Sequence, residues 1–109
     1  MTIRNFEALF RPASIALVGA SSRPGAVGAL IARNLQAGGF NGPIWLVNRN
    51  GRPCGDHPTL RSIANLPATP VLAILSVPVD QVAASIAALA KRGTRAAVVI
   101  TDGLDAAQR

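Results

Sequence analysis

The sequence predicts an α/β fold, a doubly wound parallel sheet of about five strands. Three observations predict it. Short unbroken apolar runs recur at Ile15–Val18, Ile44–Val47, 71–77 and 96–100, as expected of strands buried on both faces of a parallel sheet. Between them lie segments with apolar residues at helical spacing. Turn-forming residues separate the two kinds of segment. Strands alternating with helices give a sheet covered on both sides, with right-handed crossovers.

The elements follow in order. Residues 5–10 read as a short leading helix stopped by Pro12. Ile15–Val18 is the first strand. A helix over 25–37 places Val27, Leu30, Ile31 and Leu35 on one face, and Gly38 and Gly39 end it. Ile44–Val47 is the second strand, entered through Asn41, Gly42 and Pro43. Residues 51–58 are polar and turn-rich, with room for a short edge strand near Pro53 and Cys54. A short helix over 59–66 precedes Pro67. The next strand spans 71–77. Asp80 caps a helix over 81–92, with Val82, Ile86 and Leu89 inward. Lys91 and Arg92 suit its negative end, and Gly93 its exit. The last strand spans 96–100, followed by a turn at Asp102 and Gly103 and the start of another helix over 104–109. The chain, 1–109, reads as a single domain and as the opening piece of a longer multidomain protein.

Composition narrows the function classes. At 109 residues the chain can bury a real core but has little room for a second active region. No apolar run approaches the ~20 residues that span a bilayer. The first twelve residues lack the long apolar stretch of a signal peptide. One cysteine, Cys54, excludes an internal disulfide and a cysteine-based zinc site. The expected location is the cytoplasm. The net charge is +6, carried by ten arginines and one lysine. These residues form no run, Tyr is absent and Trp45 is the only Trp, so no aromatic platform for nucleic acid exists. The arginines are either an ordinary solvated surface or, several together, partners of a polyanionic small ligand.

The most telling stretch is I-A-L-V-G-A-S-S-R-P-G-A-V-G, from Ile15 to Gly28. A strand runs through a glycine-rich loop into a helix. Gly19 permits a sharp exit, and Gly25 and Gly28 permit close approach of backbone and ligand. The unpaired amides at the helix start favour an anion. The spacing is not the usual G-x-G-x-x-G, and a tight strand–helix turn without ligand would use the same glycines. On this reading, valine at Gly25 or Gly28 would disturb binding more than folding. Ligands in such sheets sit beyond the carboxyl ends of the strands. Four loops share that edge: 19–24, 48–51, 76–80 and 101–105.

The blocks F-E-A-L-F-R-P-A-S-I-A-L-V-G-A-S-S-R-P-G-A-V-G, I-W-L-V-N-R-N-G, L-A-I-L-S-V-P-V-D-Q-V and A-A-V-V-I-T-D-G-L occur in that order. Together they resemble the Rossmann-like CoA-binding domain of NDP-forming acyl-CoA synthetases. That group includes the ADP-forming acetate–CoA ligases, the succinyl-CoA synthetase alpha subunit and protein acyltransferases fused to a GNAT domain. The resemblance covers nearly the whole chain. It implies coenzyme A as the ligand, held by Gly19, Ala20, Ser21, Ser22, Arg23, Gly25, Gly28, Asn48, Arg49, Ser76, Val77, Pro78, Thr101, Asp102 and Gly103. In this picture the first loop and its arginine meet phosphate, with Arg23 and Arg49 pairing bidentately. Asn48 bonds at the end of the second strand. Ser76, Val77 and Pro78 form a wall along the nucleotide or pantetheine, and 101–103 lie near the thiol. Arg49 departs from the pattern, standing where a proline is common, and so does His57 before Pro58. The resemblance also implies downstream ligase, ATP-grasp or GNAT domains as partners.

No catalytic group and no metal site is expected in this stretch. The five carboxylates, Glu7, Asp56, Asp80, Asp102 and Asp105, are dispersed, and His57 is the only histidine. The chain alone is not expected to be an enzyme, while the parent reads as an ADP-forming acid–CoA ligase. Two other readings stay open. One is an NADP-binding domain of an oxidoreductase. The usual acidic residue for NAD at the end of the second strand is replaced here by Asn48 and Arg49. The other is a non-catalytic nucleotide sensor. Neither nucleic acid nor membrane is expected as a partner.

Overall fold

Ile15–Val18 (β1) is buried at every position, because it is the strand on which both faces of the sheet are built. The computed structural model describes residues 12–21, 25–55 and 57–100. β1 is followed by α1 (Val27–Ala37), β2 (Ile44–Val47), a 3₁₀ turn (Ile63–Asn65), β3 (Leu72–Leu75), α2 (Val79–Arg92) and β4 (Ala96–Val99). The strands lie in the order β2-β1-β3-β4, and all three pairings are parallel. β1 pairs in register with both neighbours, Ile15 opposite Ile44 on one side and Leu72 on the other.

Alternation along the strands sorts the core into two layers. Ala16, Val18, Val47, Ala73 and Leu75 meet Leu89 of α2 on one face, with Trp45, Leu60, Ile63 and Val82 packed around them. Leu17 and Leu46 meet Ala32 of α1 on the other, with Ile31, Leu35, Ile44 and Ile74. The helices therefore cover opposite faces, and the fold is the doubly wound one expected. Leu17, Leu75 and Leu89 are among the largest fully buried side chains. Each contributes roughly 1.5–3 kcal/mol by leaving water.

The sheet has four strands, one fewer than the sequence suggests. The edge segment is reduced to single bridges: Val47 with Leu60, parallel, and Cys54 with His57, antiparallel. Pro53 and Pro58 lack the amide donors a ladder needs. The expected helix over 59–66 is only the 3₁₀ turn. Leu60 is held extended, donating to the Leu46 carbonyl (2.8 Å) and accepting from the Asn48 amide (2.7 Å), which leaves too few residues before Pro67 for an α-helix. α2 starts earlier than expected, after Pro78, and the Gln81 amide bonds the Pro78 carbonyl (2.8 Å). Asp80 is thus inside the first turn rather than capping it, where its charge still faces the positive helix end. Leu30 and Ile86 were expected inward but are half exposed, at 50% and 41%. The strands have four residues each, so each helix buries only a narrow stripe. The expected leading helix over 5–10 and the expected elements beyond residue 100 lie outside the described residues.

Two glycines set how β1 meets its neighbours. A Cβ on Gly19 would be driven into the Ser76 carbonyl, and one on Gly28 into the Gly19 carbonyl. Gly28 is buried and holds α1 against the strand exit. The sequence suggests a smaller effect of valine here on folding than on binding, but the blocking atom is main chain, which cannot swing aside. Gly28→Val is expected to lower stability by about 3 kcal/mol, read as a lower urea midpoint. Leu30→Gln, two positions on but exposed, is expected to change it by less than about 0.5 kcal/mol.

Candidate functional site

The order β2-β1-β3-β4 reverses direction between β1 and β3. A crevice at such a point, beyond the carboxyl strand ends, is where ligands enter sheets of this kind. A cleft of about 720 Å³ opens there, within the ~300–1,000 Å³ of small-molecule sites. Its floor is Val18, Gly19 and Ala20 at the end of β1, with Ser76, Val77 and Pro78 after β3. Val47, Asn48 and Arg49 close one side, and Arg52, Arg61 and Ile63 extend it. Asp80, Gln81, Ala84 and Ser85 of α2 form the opposite wall.

The backbone at the floor is tightly committed. The amides of Gly19 and Ala20 both donate to the Val47 carbonyl (2.9 and 3.0 Å), and the Ser76 amide donates to the Val18 carbonyl (2.8 Å). Gly19 and Ala20 therefore offer a ligand close approach rather than free amides. The loop after β2 is shaped by its own side chains. Asn48 is buried and its Oδ1 accepts from the Asn50 amide (3.0 Å), while Asn50 Oδ1 accepts from the Arg52 amide (3.0 Å). The Gly51 amide closes the turn on the Asn48 carbonyl (3.0 Å). These bonds leave the guanidinium groups of Arg49, Arg52 and Arg61 at the cleft, and among the described residues none is paired with a carboxylate.

The family model described as CoA binding domain matches residues 13–108. The chain belongs to the CoA-binding domain family.

Relatives agree with this assignment. The CoA-binding domain is 35% identical over 102 residues to acetate–CoA ligase [ADP-forming] II of Archaeoglobus fulgidus, covering 94% of this chain and 15% of that protein. It is 30% identical over 103 residues to the alpha subunit of acetate–CoA ligase [ADP-forming] I of Pyrococcus furiosus, covering 91% and 22%. Among solved structures, the apo form of the dinucleotide-forming acetyl-coenzyme A synthetase 1 of Ca. Korarchaeum cryptofilum superposes with a TM-score of 0.83 at 36% identity, covering 91% of this chain and 22% of that one. The chain thus spans between 15% and 22% of the length of these relatives.

The cleft brings together eight of the residues singled out in the sequence: Gly19, Ala20, Ser21, Asn48, Arg49, Ser76, Val77 and Pro78. Gly25 and Gly28 stand outside its lining. Gly25 is exposed at φ +87° with nothing within 4 Å of the Cβ position, and Gly28 is a packing position. Ser22, Arg23, Thr101, Asp102 and Gly103 lie outside the described residues. Sequence reasoning missed Arg52 and Arg61 as cleft residues, because they are separated along the chain and are brought together by single contacts, the Leu60 bridge to Val47 and the Thr59 hydroxyl on the Arg52 carbonyl. It also missed the wall of α2. There the small residues Ala84 and Ser85, one turn after Asp80 and Gln81, were the available signal. No helix among the described residues is long and apolar enough to cross a membrane.

Cys54 ties the edge segment to the site. Its Sγ donates to the Ser21 carbonyl at 3.2 Å, its side chain joins the α1-side core, and burial pushes the thiol above its ordinary value. The folded state thus prefers the neutral thiol. That preference stabilises fully below the ordinary thiol range and is lost as pH rises through the raised value. Iodoacetamide is expected to label Cys54 negligibly at pH 7 in the folded chain and promptly in urea. In the folded chain, labelling is expected to climb only above about pH 8.5. Fast labelling of the folded chain at pH 7, followed by mass spectrometry, would contradict this.

Proposed function

We propose that this domain binds coenzyme A in the cleft beyond β1, β2 and β3, as the CoA-binding module of an NDP-forming acyl-CoA synthetase or a related acyltransferase. One observation carries the reading: three arginines, Arg49, Arg52 and Arg61, with no carboxylate partner among the described residues, line a cleft whose floor is largely small residues at the sheet's reversal point. Coenzyme A carries a pyrophosphate, a 3′-phosphate, an adenine and a pantetheine arm, and each finds a complementary feature. Gly19, Ala20 and Ser21 let the ligand approach the backbone closely, with Ser22, Arg23, Gly25 and Gly28 completing the phosphate loop. Arg49 pairs with phosphate through its two-pronged fork. Asn48 fixes the turn that carries Arg49. Ser76, Val77 and Pro78 line the path of the nucleotide and pantetheine, and Thr101, Asp102 and Gly103 belong to the thiol end. The matching family model and the acetate–CoA ligase relatives support the same ligand.

NAD fits less well. The end of β2 offers Asn48 and Arg49 in place of the carboxylate that holds the ribose hydroxyls of NAD. The acyl-transfer chemistry belongs to the rest of the parent protein, where the relatives named acetate–CoA ligase [ADP-forming] carry most of their length.

Titration calorimetry with CoA, NADP and NAD is expected to give the tightest binding with CoA. NADP binding without CoA binding would overturn the reading. The 109-residue chain, incubated with ATP, magnesium, CoA and short carboxylic acids, is expected to form no thioester.

A further inference from the structure

The cleft has two chemically different flanks. On the β1 side its described residues are small and uncharged: Gly19, Ala20 and Ser21. On the other side the β2–β3 connection carries Arg49, Arg52 and Arg61, and among the described residues the acidic one in the lining is Asp80 of α2. Arg49 and Arg52 ride on the turn that Asn48 and Asn50 build. Arg61 arrives separately. Leu60, just before it, is bonded to β2 through both its amide and its carbonyl, so the backbone entering Arg61 is fixed. The Arg61 side chain then lies across Gly51. A Cβ placed there would stand 2.9 Å from Arg61 Nε and 3.2 Å from its Cγ. Among the described residues, nothing accepts a hydrogen bond from the Arg61 guanidinium. The fold aims a cation over the turn at the end of β2, and among the described residues it has no hydrogen-bonding or carboxylate partner.

We propose that Arg61, flanked by Arg49 and Arg52, forms a subsite for a phosphomonoester on the ligand's ribose, and that Arg61 sets a preference for CoA over 3′-dephospho-CoA. This rests on the CoA reading above. In sheets of this topology the ribose lies just beyond the end of β2, where an arginine accommodates a ribose phosphate when one is present. A monoester concentrates nearly two negative charges on three terminal oxygens. Guanidinium forks meet such oxygens bidentately, and a lysine would not.

The test is calorimetry of the 109-residue chain and two variants with CoA and with dephospho-CoA. The wild type is expected to bind CoA about tenfold more tightly than dephospho-CoA. Arg61→Gln is expected to weaken CoA by about tenfold while leaving dephospho-CoA within about twofold. Arg61→Lys, which keeps the charge and loses the fork, falls between. Arg61 is exposed, so both variants should melt within about 3 °C of the wild type. Equal affinity of the wild type for the two compounds, or an equal loss of both in Arg61→Gln, overturns the subsite and leaves the CoA reading standing. Binding of neither compound by a folded wild-type chain overturns both. Tighter binding of NADP than of CoA overturns the CoA reading and, with it, the assignment to a 3′-phosphate.

Discussion

The exit of β1 at Gly19 is the constraint on which the rest of the structure depends. There the chain must pass between the Ser76 carbonyl and the start of α1, and both approaches are too close for a Cβ. At the same place the amides of Gly19 and Ala20 converge on the Val47 carbonyl, and the Ser76 amide reaches the Val18 carbonyl. The ends of three parallel strands and one helix are thereby joined through main-chain atoms. Side chains could adjust to a larger residue at Gly19, but the atom it would meet is a main-chain carbonyl at the end of β3, which cannot swing aside. The cleft opens where this junction stops, so its floor is rigid.

Among the described residues, close approach and charge fall to different segments. β1 and β3 supply backbone and small side chains, while the irregular connection after β2 supplies the cations. That division suits the connection's composition. Asn48, Asn50 and Gly51 form a turn from their own polar groups, and among the described residues the guanidinium groups of Arg49 and Arg52 take no part in it. The turn is itself held from outside. Leu60 anchors it to β2. Beyond it, Arg92 at the end of α2 donates from Nη1 to the Ile63 carbonyl at 2.9 Å and so fixes the 3₁₀ turn on which Ile63 faces the cleft. A basic residue in the last turn of a helix favours the negative helix end, and here it also braces the wall of the site.

Much of this was legible in the sequence, for physical reasons. Ile15–Val18 and Ile44–Val47 are observed as read, because a strand buried on both faces has no polar position to blur its ends. The apolar runs at 71–77 and 96–100 overshoot the observed strands. Ser76 and Ile100 still bond the neighbouring strand but lie past the ladder, and hydropathy does not register that difference. Leu30 and Ile86 kept perfect helical spacing yet stayed exposed, since periodicity marks a face but not its width. The fifth strand failed because prolines at 53 and 58 remove donors. Gly19, Asn48 and Ser76 were legible as cleft residues because topology places strand ends together. Arg52 and Arg61 were not, because a side-chain-built turn places the one and a bridge of one residue the other, and neither leaves a pattern.

The most direct measurement is an amide NMR titration of the 109-residue chain with CoA. Binding in the cleft requires the largest shifts at Gly19, Ala20, Ser21, Asn48, Arg49, Ser76 and Val77. Residues at the opposite ends of the strands, such as Ser14, Val71 and Arg95, should stay in place. Shifts centred on those amino-end residues, or absent at the end of β1, would contradict the assignment of the cleft as the binding site.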